Sequence, residues 1–124
     1  MHHSQLGGLI IDCEGGDLDT AVDFWSQALG LELKPEDPDD EKYRSLDNGP
    51  NAPYVEVQQV DHPSRVHLDI ETDDIDAEVR RLEALGAKKL EKIRTWVVME
   101  APTGQRFCVV RAQSENFADA ASEW

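Results

Sequence analysis

Basic residues are scarce in this chain: 12 Lys and Arg stand against 26 Asp and Glu, a formal net charge of −14. That balance excludes electrostatic binding to DNA, RNA or anionic lipid, each of which needs a positive surface. Cysteine is nearly absent too. Cys13 and Cys108 are the only two, each within an apolar run, so no disulfide framework is available, and reduced thiols of this kind fit a cytoplasmic protein. No apolar run approaches the roughly 20 residues of a membrane span. MHHSQLGG at the N-terminus has neither the basic start nor the apolar centre of a signal peptide. We expect it to be an unstructured leader whose His2 and His3 ligate nothing.

What the chain does have is periodicity. Its 124 residues suffice for one domain that buries about two-thirds of its unfolded surface. Leu6–Cys13 reads as a strand, and Glu14-Gly15-Gly16 breaks it. Asp17 can cap a following helix, with Leu18, Ala21, Val22, Trp25, Ala28 and Leu29 as its apolar face and Gly30 as its stop. Leu31–Lys34 suits a short strand, Pro35–Asp40 a proline-punctuated loop, and Glu41–Leu46 a strand ending at the turn Asp47–Pro50. Pro53–Val60 alternates strictly, placing Tyr54, Glu56 and Gln58 on one side and Val55 and Val57 on the other.

Arg65–Glu71 alternates as well, with Val66, Leu68 and Ile70 opposed to His67, Asp69 and Glu71. Asp73 or Asp74 caps the next helix, whose stripe is Ile75, Val79, Leu82 and Leu85 and whose end is Gly86. The acidic run Glu71–Asp76 is read as loop and cap chemistry. Three strands follow at Lys88–Ile93, Trp96–Glu100 and Arg106–Arg111, the last two joined by the turn Ala101–Gly104. Ala112–Trp124 is an acidic tail suited to a loose helix anchored by Phe117 or Trp124.

The two halves repeat one another. DLDTAVDFWSQALG from Asp17 and DIDAEVRRLEALG from Asp74 share their cap, their aliphatic and Val positions and their Ala-Leu-Gly ending. Each helix follows a strand and precedes about three. The fold class is therefore α+β: two tandem βαβββ modules, about 6–60 and 65–111, with a tail at 112–124. They form a curved, cup-shaped mixed sheet with helices outside and a concave polar inner face.

With HLDIETDDIDAEVRRLEALGA and WVVMEAPTGQRFCVV, this plan resembles the glyoxalase/bleomycin-resistance group of the vicinal oxygen chelate superfamily. The resemblance implies a small-molecule ligand in the cup and a homodimer. In metal-dependent members it implies four ligands, His or Gln, Glu, His and Glu, around a divalent ion that stabilises enolate-like charge. Carried over by position, the second histidine is His67, and the acid or amide of the first module is Glu56 or Gln58. The first ligand falls on Gly8 or Ile10, and the last glutamate on Cys108, while Ala101 stands where the family shows Asp. Two of the four positions cannot hold a hard metal, so a metal on His67 and Glu56 is disfavoured.

The expected function is small-molecule binding without that full set. A metal-dependent lyase or isomerase is one alternative, and a non-catalytic interaction protein is another. His67 and Glu56 are the candidate catalytic pair, able to take a proton beside a carbonyl; His67 could equally be hydrogen-bonded to Glu56 or Asp69. Asp12, Tyr54, Gln58, Asp69, Trp96 and Cys108 are candidate ligand contacts, Asp12 being also readable as a turn-forming carboxylate.

Overall fold

In the computed structural model, residues 1–35 and 42–124 are described. The acidic loop expected at Pro35–Asp40 falls almost wholly outside them, as does Glu41. The order is β1 (His3–Glu14), α1 (Leu18–Leu29), β2 (Glu32–Leu33), β3 (Tyr43–Asp47), β4 (Tyr54–Val60), β5 (Arg65–Thr72), α2 (Ile75–Ala84), β6 (Lys88–Ile93), β7 (Trp96–Glu100), β8 (Arg106–Arg111), α3 (Phe117–Ala120) and β9 (Ser122–Glu123). Both βαβββ modules are present. The chain gathers into two compact units, residues 8–66 and residues 1–7 with 67–124.

In the 8–66 unit, β1 pairs parallel with β4, β4 antiparallel with β3, and β3 antiparallel with β2. The Asp17 carboxylate accepts from the Asp19 amide at the start of α1, and Gly30 ends the helix in the left-handed region at φ 68°. Helix α1 sets Leu18 and Val22 against Ile11, Leu46, Val55 and Val57, with Trp25 and Cys13 at the margin. Leu29, expected on the buried face, is 46% exposed at the last position of α1.

In the other unit, β5 pairs parallel with β8, β8 antiparallel with β7, and β7 antiparallel with β6. Asp74 caps α2 by accepting from the Ala77 amide. Val79 and Leu82 pack on Val97, Met99, Phe107 and Val109, with Ile70 and Ile75 beside them. Burying these side chains supplies roughly 1.5–3 kcal/mol each. Leu85 departs from the expected stripe: it is the C-cap of α2 and is 66% exposed.

The N-terminal segment is not a leader. Strand β1 begins at His3, and β9 pairs antiparallel with it, His3 opposite Glu123 and Ser4 opposite Ser122. His2 and Trp124 exchange both backbone hydrogen bonds. The His2 ring lies 2.9 Å from Oε1 of fully buried Glu78, which also accepts from Arg81 Nε at 2.7 Å and Nη2 at 2.8 Å. Arg81 stacks on the Trp124 ring at 3.8 Å, and the Trp124 indole donates to Ser4 Oγ at 2.8 Å.

Glu71 is likewise buried rather than part of a solvated loop. It accepts from Gln5 Nε2 at 2.6 Å and from the amides of Gln113 and Ser114. The tail thus forms a short helix, as expected, and is docked by a strand that the sequence did not announce.

Candidate functional site

In the 8–66 unit the register places Gly8 opposite Tyr54, Ile10 opposite Glu56 and Asp12 opposite Gln58; on the far side of β4, Ser45 meets Glu56 and Tyr43 meets Gln58. Because Val55 and Val57 lie under α1, strand alternation turns Tyr54, Glu56 and Gln58 to the helix-free face. Asp12 stands on that face too, buried, with Arg65 Nε 3.9 Å from its Oδ2. It belongs to the strand and not to the turn after it. The turn is held instead by Val60, whose carbonyl accepts from the Gly15 amide, and by Ser64, whose hydroxyl accepts from the Glu14 amide. The Tyr54 ring covers Gly8 so closely that a Cβ there would stand 2.7 Å from Cγ and nearer still to Cδ1 and Cε1.

In the other unit β5 carries His67 and Asp69 two residues apart, hence on one face, and the parallel ladder sets Asp69 opposite Cys108. Val98 flanks Cys108 from β7, and Trp96 lies on the same face of that strand by alternation. The opposite face carries Phe107, Val109, Val97 and Met99 against α2. His67 Nε2 is 3.6 Å from Asp69 Oδ1, with side chains 14% and 12% exposed. Ligand-capable atoms of His67, Asp69 and Cys108 all lie within 4.8 Å of one another. Among the described residues it is the group of three His, Cys, Asp or Glu side chains whose ligand-capable atoms come together in this way. Strand parity reveals its His67–Asp69 half; the family resemblance points to Cys108 as well, and the β5–β8 register sets it opposite Asp69.

Neither Cys13 nor Cys108 is in a disulfide. Burial pushes the Cys13 thiol up, and the neighbouring Asp12 charge adds to that. A separate depression at the start of α2, lined by Asp74, Lys92, Arg94 and Arg111 among others, holds none of the candidate residues.

Residues 8–110 match the family model described as the glyoxalase-like domain. The chain belongs to the glyoxalase-like domain family. Its fold is that of the vicinal oxygen chelate superfamily, and three solved structures illustrate the likeness. Methylmalonyl-CoA epimerase from Mycobacterium tuberculosis is 19% identical, with 91% of this chain and 93% of that one covered and a TM-score of 0.60. A hypothetical protein from Bacillus halodurans is 15% identical over 91% and 99% of the two chains, with a TM-score of 0.60. A Streptomyces coelicolor methylmalonyl-CoA epimerase variant in complex with 2-nitronate-propionyl-CoA is 17% identical over 90% and 97%, with a TM-score of 0.55. At such identities these likenesses speak for the fold. No functionally curated protein matches.

The superfamily's four-ligand metal set can be tested on this glyoxalase-like domain. At Gly8 the Tyr54 ring occupies the space that any side chain would need. At Ile10, the other alignment of the repeat, an aliphatic side chain is packed at 2% exposure. At the fourth position stands the Cys108 sulfur in place of a carboxylate. The residues present do not fit the hard-metal set of the superfamily.

Proposed function

We propose that this glyoxalase-like domain binds a small molecule on the helix-free faces of its sheet, without the superfamily's own four-ligand metal set. The observation that carries this reading is the convergence of His67, Asp69 and Cys108 within 4.8 Å on the face of β5 and β8 turned away from α2. A purely structural sheet face would be solvated or apolar; this one gathers an imidazole, a carboxylate and a thiol in a half-buried setting. The 8–66 module supports it with Tyr54, Glu56, Gln58 and Asp12 on the corresponding face. These side chains are rich in acceptors and suit hydroxyl-bearing or cationic ligands, and the Tyr54 and Trp96 rings offer flat apolar walls. Pairing as a homodimer and residence in a reducing compartment belong to the same reading. Among the described residues no helix is long and apolar enough to cross a membrane.

A thermal-shift screen tests it, using diketones, hydroxy acids, acyl thioesters and cationic drug-like compounds. A ligand of this face raises apparent stability with concentration, by about 2.7 kcal/mol at a hundredfold excess over Kd. His67→Ala and Asp69→Asn weaken that shift while leaving the unliganded melt cooperative. Turnover of a bound compound that is lost in His67→Ala would extend the reading to a lyase or isomerase. No shift from any class would overturn it in favour of an interaction protein.

A further inference from the structure

The depression at the start of α2 lies wholly within the unit of residues 1–7 and 67–124 and measures about 570 Å³, a size at which small-molecule sites occur. Strand register explains which side chains reach it. Lys92 stands opposite Val97, Val97 opposite Val109 and Val109 opposite Ile70, a row on the sheet face that packs against α2. Two residues further along β8, on that same face, comes Arg111, opposite Thr72. Here the apolar row gives way to charge: Val97 and Val109 are buried, whereas Lys92 and Arg111 are exposed.

Arg94 joins them from the turn. It is the first residue of the two-residue connection between Ile93 and Trp96, and its φ of 52° lies in the left-handed region. Such hairpin turns favour Gly or Asn there, and among the described residues Arg94 is the one non-glycine residue with a positive φ. An arginine at that place strains the backbone, and what it brings is a guanidinium in the same depression as Lys92 and Arg111. Four arginines elsewhere are matched: Arg44 with Asp19, Arg65 with Asp12, Arg81 with Glu78 and Arg106 with Glu100. Among the described residues Lys92, Arg94 and Arg111 have no carboxylate at ion-pair distance, in a chain of net charge −14. Three carboxylates also line the depression. Asp73 is taken up by the amide and ring of His3, and Asp74 by the Ala77 amide. Asp76 is the remaining one.

We propose that Lys92, Arg94 and Arg111 form a site for a phosphate group, carried by the free ion or by a phosphorylated small molecule. Two guanidinium forks match phosphate oxygens bidentately, and the lysine adds a compact point charge. Three cations suit a dianion, and Asp76 at the rim weakens the hold on it.

The inference does not depend on the reading of the β5–β8 face. The full-length protein is titrated calorimetrically at about pH 8, above the second phosphate pKa of about 6. The probes are inorganic phosphate, glycerol phosphate and adenosine 5′-monophosphate, with sodium chloride at matched ionic strength as the blank. The expected result is one saturable site per chain, with the melting temperature rising with probe concentration. Arg94→Gly lowers affinity at least about tenfold, the scale of losing a hydrogen bond to a charged group. Its unliganded melt is no lower than that of wild type, since glycine relieves the backbone strain. A merely structural arginine would move the melt and leave affinity alone. Arg111→Gln weakens binding similarly, Asp76→Asn strengthens it, and His67→Ala leaves it unchanged. Tighter binding of an ester than of inorganic phosphate assigns the site to a phosphorylated molecule; equal or weaker binding assigns it to the ion itself. A response that chloride reproduces, or undiminished affinity in either arginine variant, would overturn the site.

Discussion

Tyr54 and Gly8 are locked across the β1–β4 ladder: they are register partners, and the tyrosine ring fills the space of the missing side chain. Gly8→Ala should therefore destabilise by about 1–3 kcal/mol, the usual cost of overpacking. In a Tyr54→Ala background the same change should cost much less. Urea denaturation of the four proteins of this cycle measures the coupling, expected at about 0.5–3 kcal/mol. Additive effects would show that Gly8 answers to something other than the ring.

Glu78 is a fully buried carboxylate beside Arg81 and His2. Burial opposes its charge, but hydrogen bonds from Arg81, His2 and Ser4 outweigh that and hold its carboxyl below the usual carboxylate range. Glu78→Gln should lower stability by about 1–3 kcal/mol at neutral pH, since it weakens the bidentate arginine contact. The sign of the pH dependence follows from the depressed value. The contribution is fully present above the ordinary glutamate value of about 4.3 and disappears as pH falls through the lower folded value. The gap between wild type and Glu78→Gln should narrow on acidification. A gap constant down to acid unfolding would contradict the charge argument.

His3 has a carboxylate on each ring nitrogen, Asp73 at 2.8 Å and Glu123 at 3.1 Å. A neutral imidazole has one N–H, so satisfying both requires the imidazolium. These two hydrogen bonds, Asp73 first, raise its pKa above the ordinary value. Its stabilisation is therefore complete below about 6.5 and fades as pH rises through the raised folded value. His3→Gln should be less stable than wild type in mildly acidic buffer, with the difference shrinking in alkaline buffer. Thermal melts across that range would reveal it. A difference growing with pH would refute the assignment.

How much of this was legible depended on how local the signal was. Asp17, Gly30 and Asp74 act on backbone groups within one turn; the first two roles could be read directly, and the third was narrowed to Asp73 or Asp74. The strands at Lys88–Ile93, Trp96–Glu100 and Arg106–Arg111 have the expected bounds; Pro102 and Gly104 mark the second reversal, whereas the first is made by Arg94 and Thr95, with Arg94 at φ 52°. His2 and His3 read as leader residues because their neighbours in sequence give no hint of Glu78, Asp73 and Glu123. Leu85 fitted the helical period, but the helix had already ended beneath it. Glu71 reads as loop and cap chemistry and Glu78 carries no local signal of its own; their burial comes from tertiary contacts. At the site, parity assigned His67 and Asp69 to one face and Tyr54, Glu56 and Gln58 to another. The meeting with Cys108 depends on a strand register that no single segment encodes.

The strand pairing of β9 with β1 also bears on the order in which the molecule assembles. Trp124 and Ser4 are 120 positions apart, so their contact closes a loop of almost the whole chain. The entropy of closing so long a loop grows only slowly, by about 0.6 kcal/mol per doubling, but it must be met by a two-residue strand, the His3–Glu123 pair, one indole hydrogen bond and one arginine stack. Such a contact cannot nucleate folding. It closes after the modules have formed and opens before they do, which makes the indole of Trp124 a reporter of local fraying distinct from global unfolding.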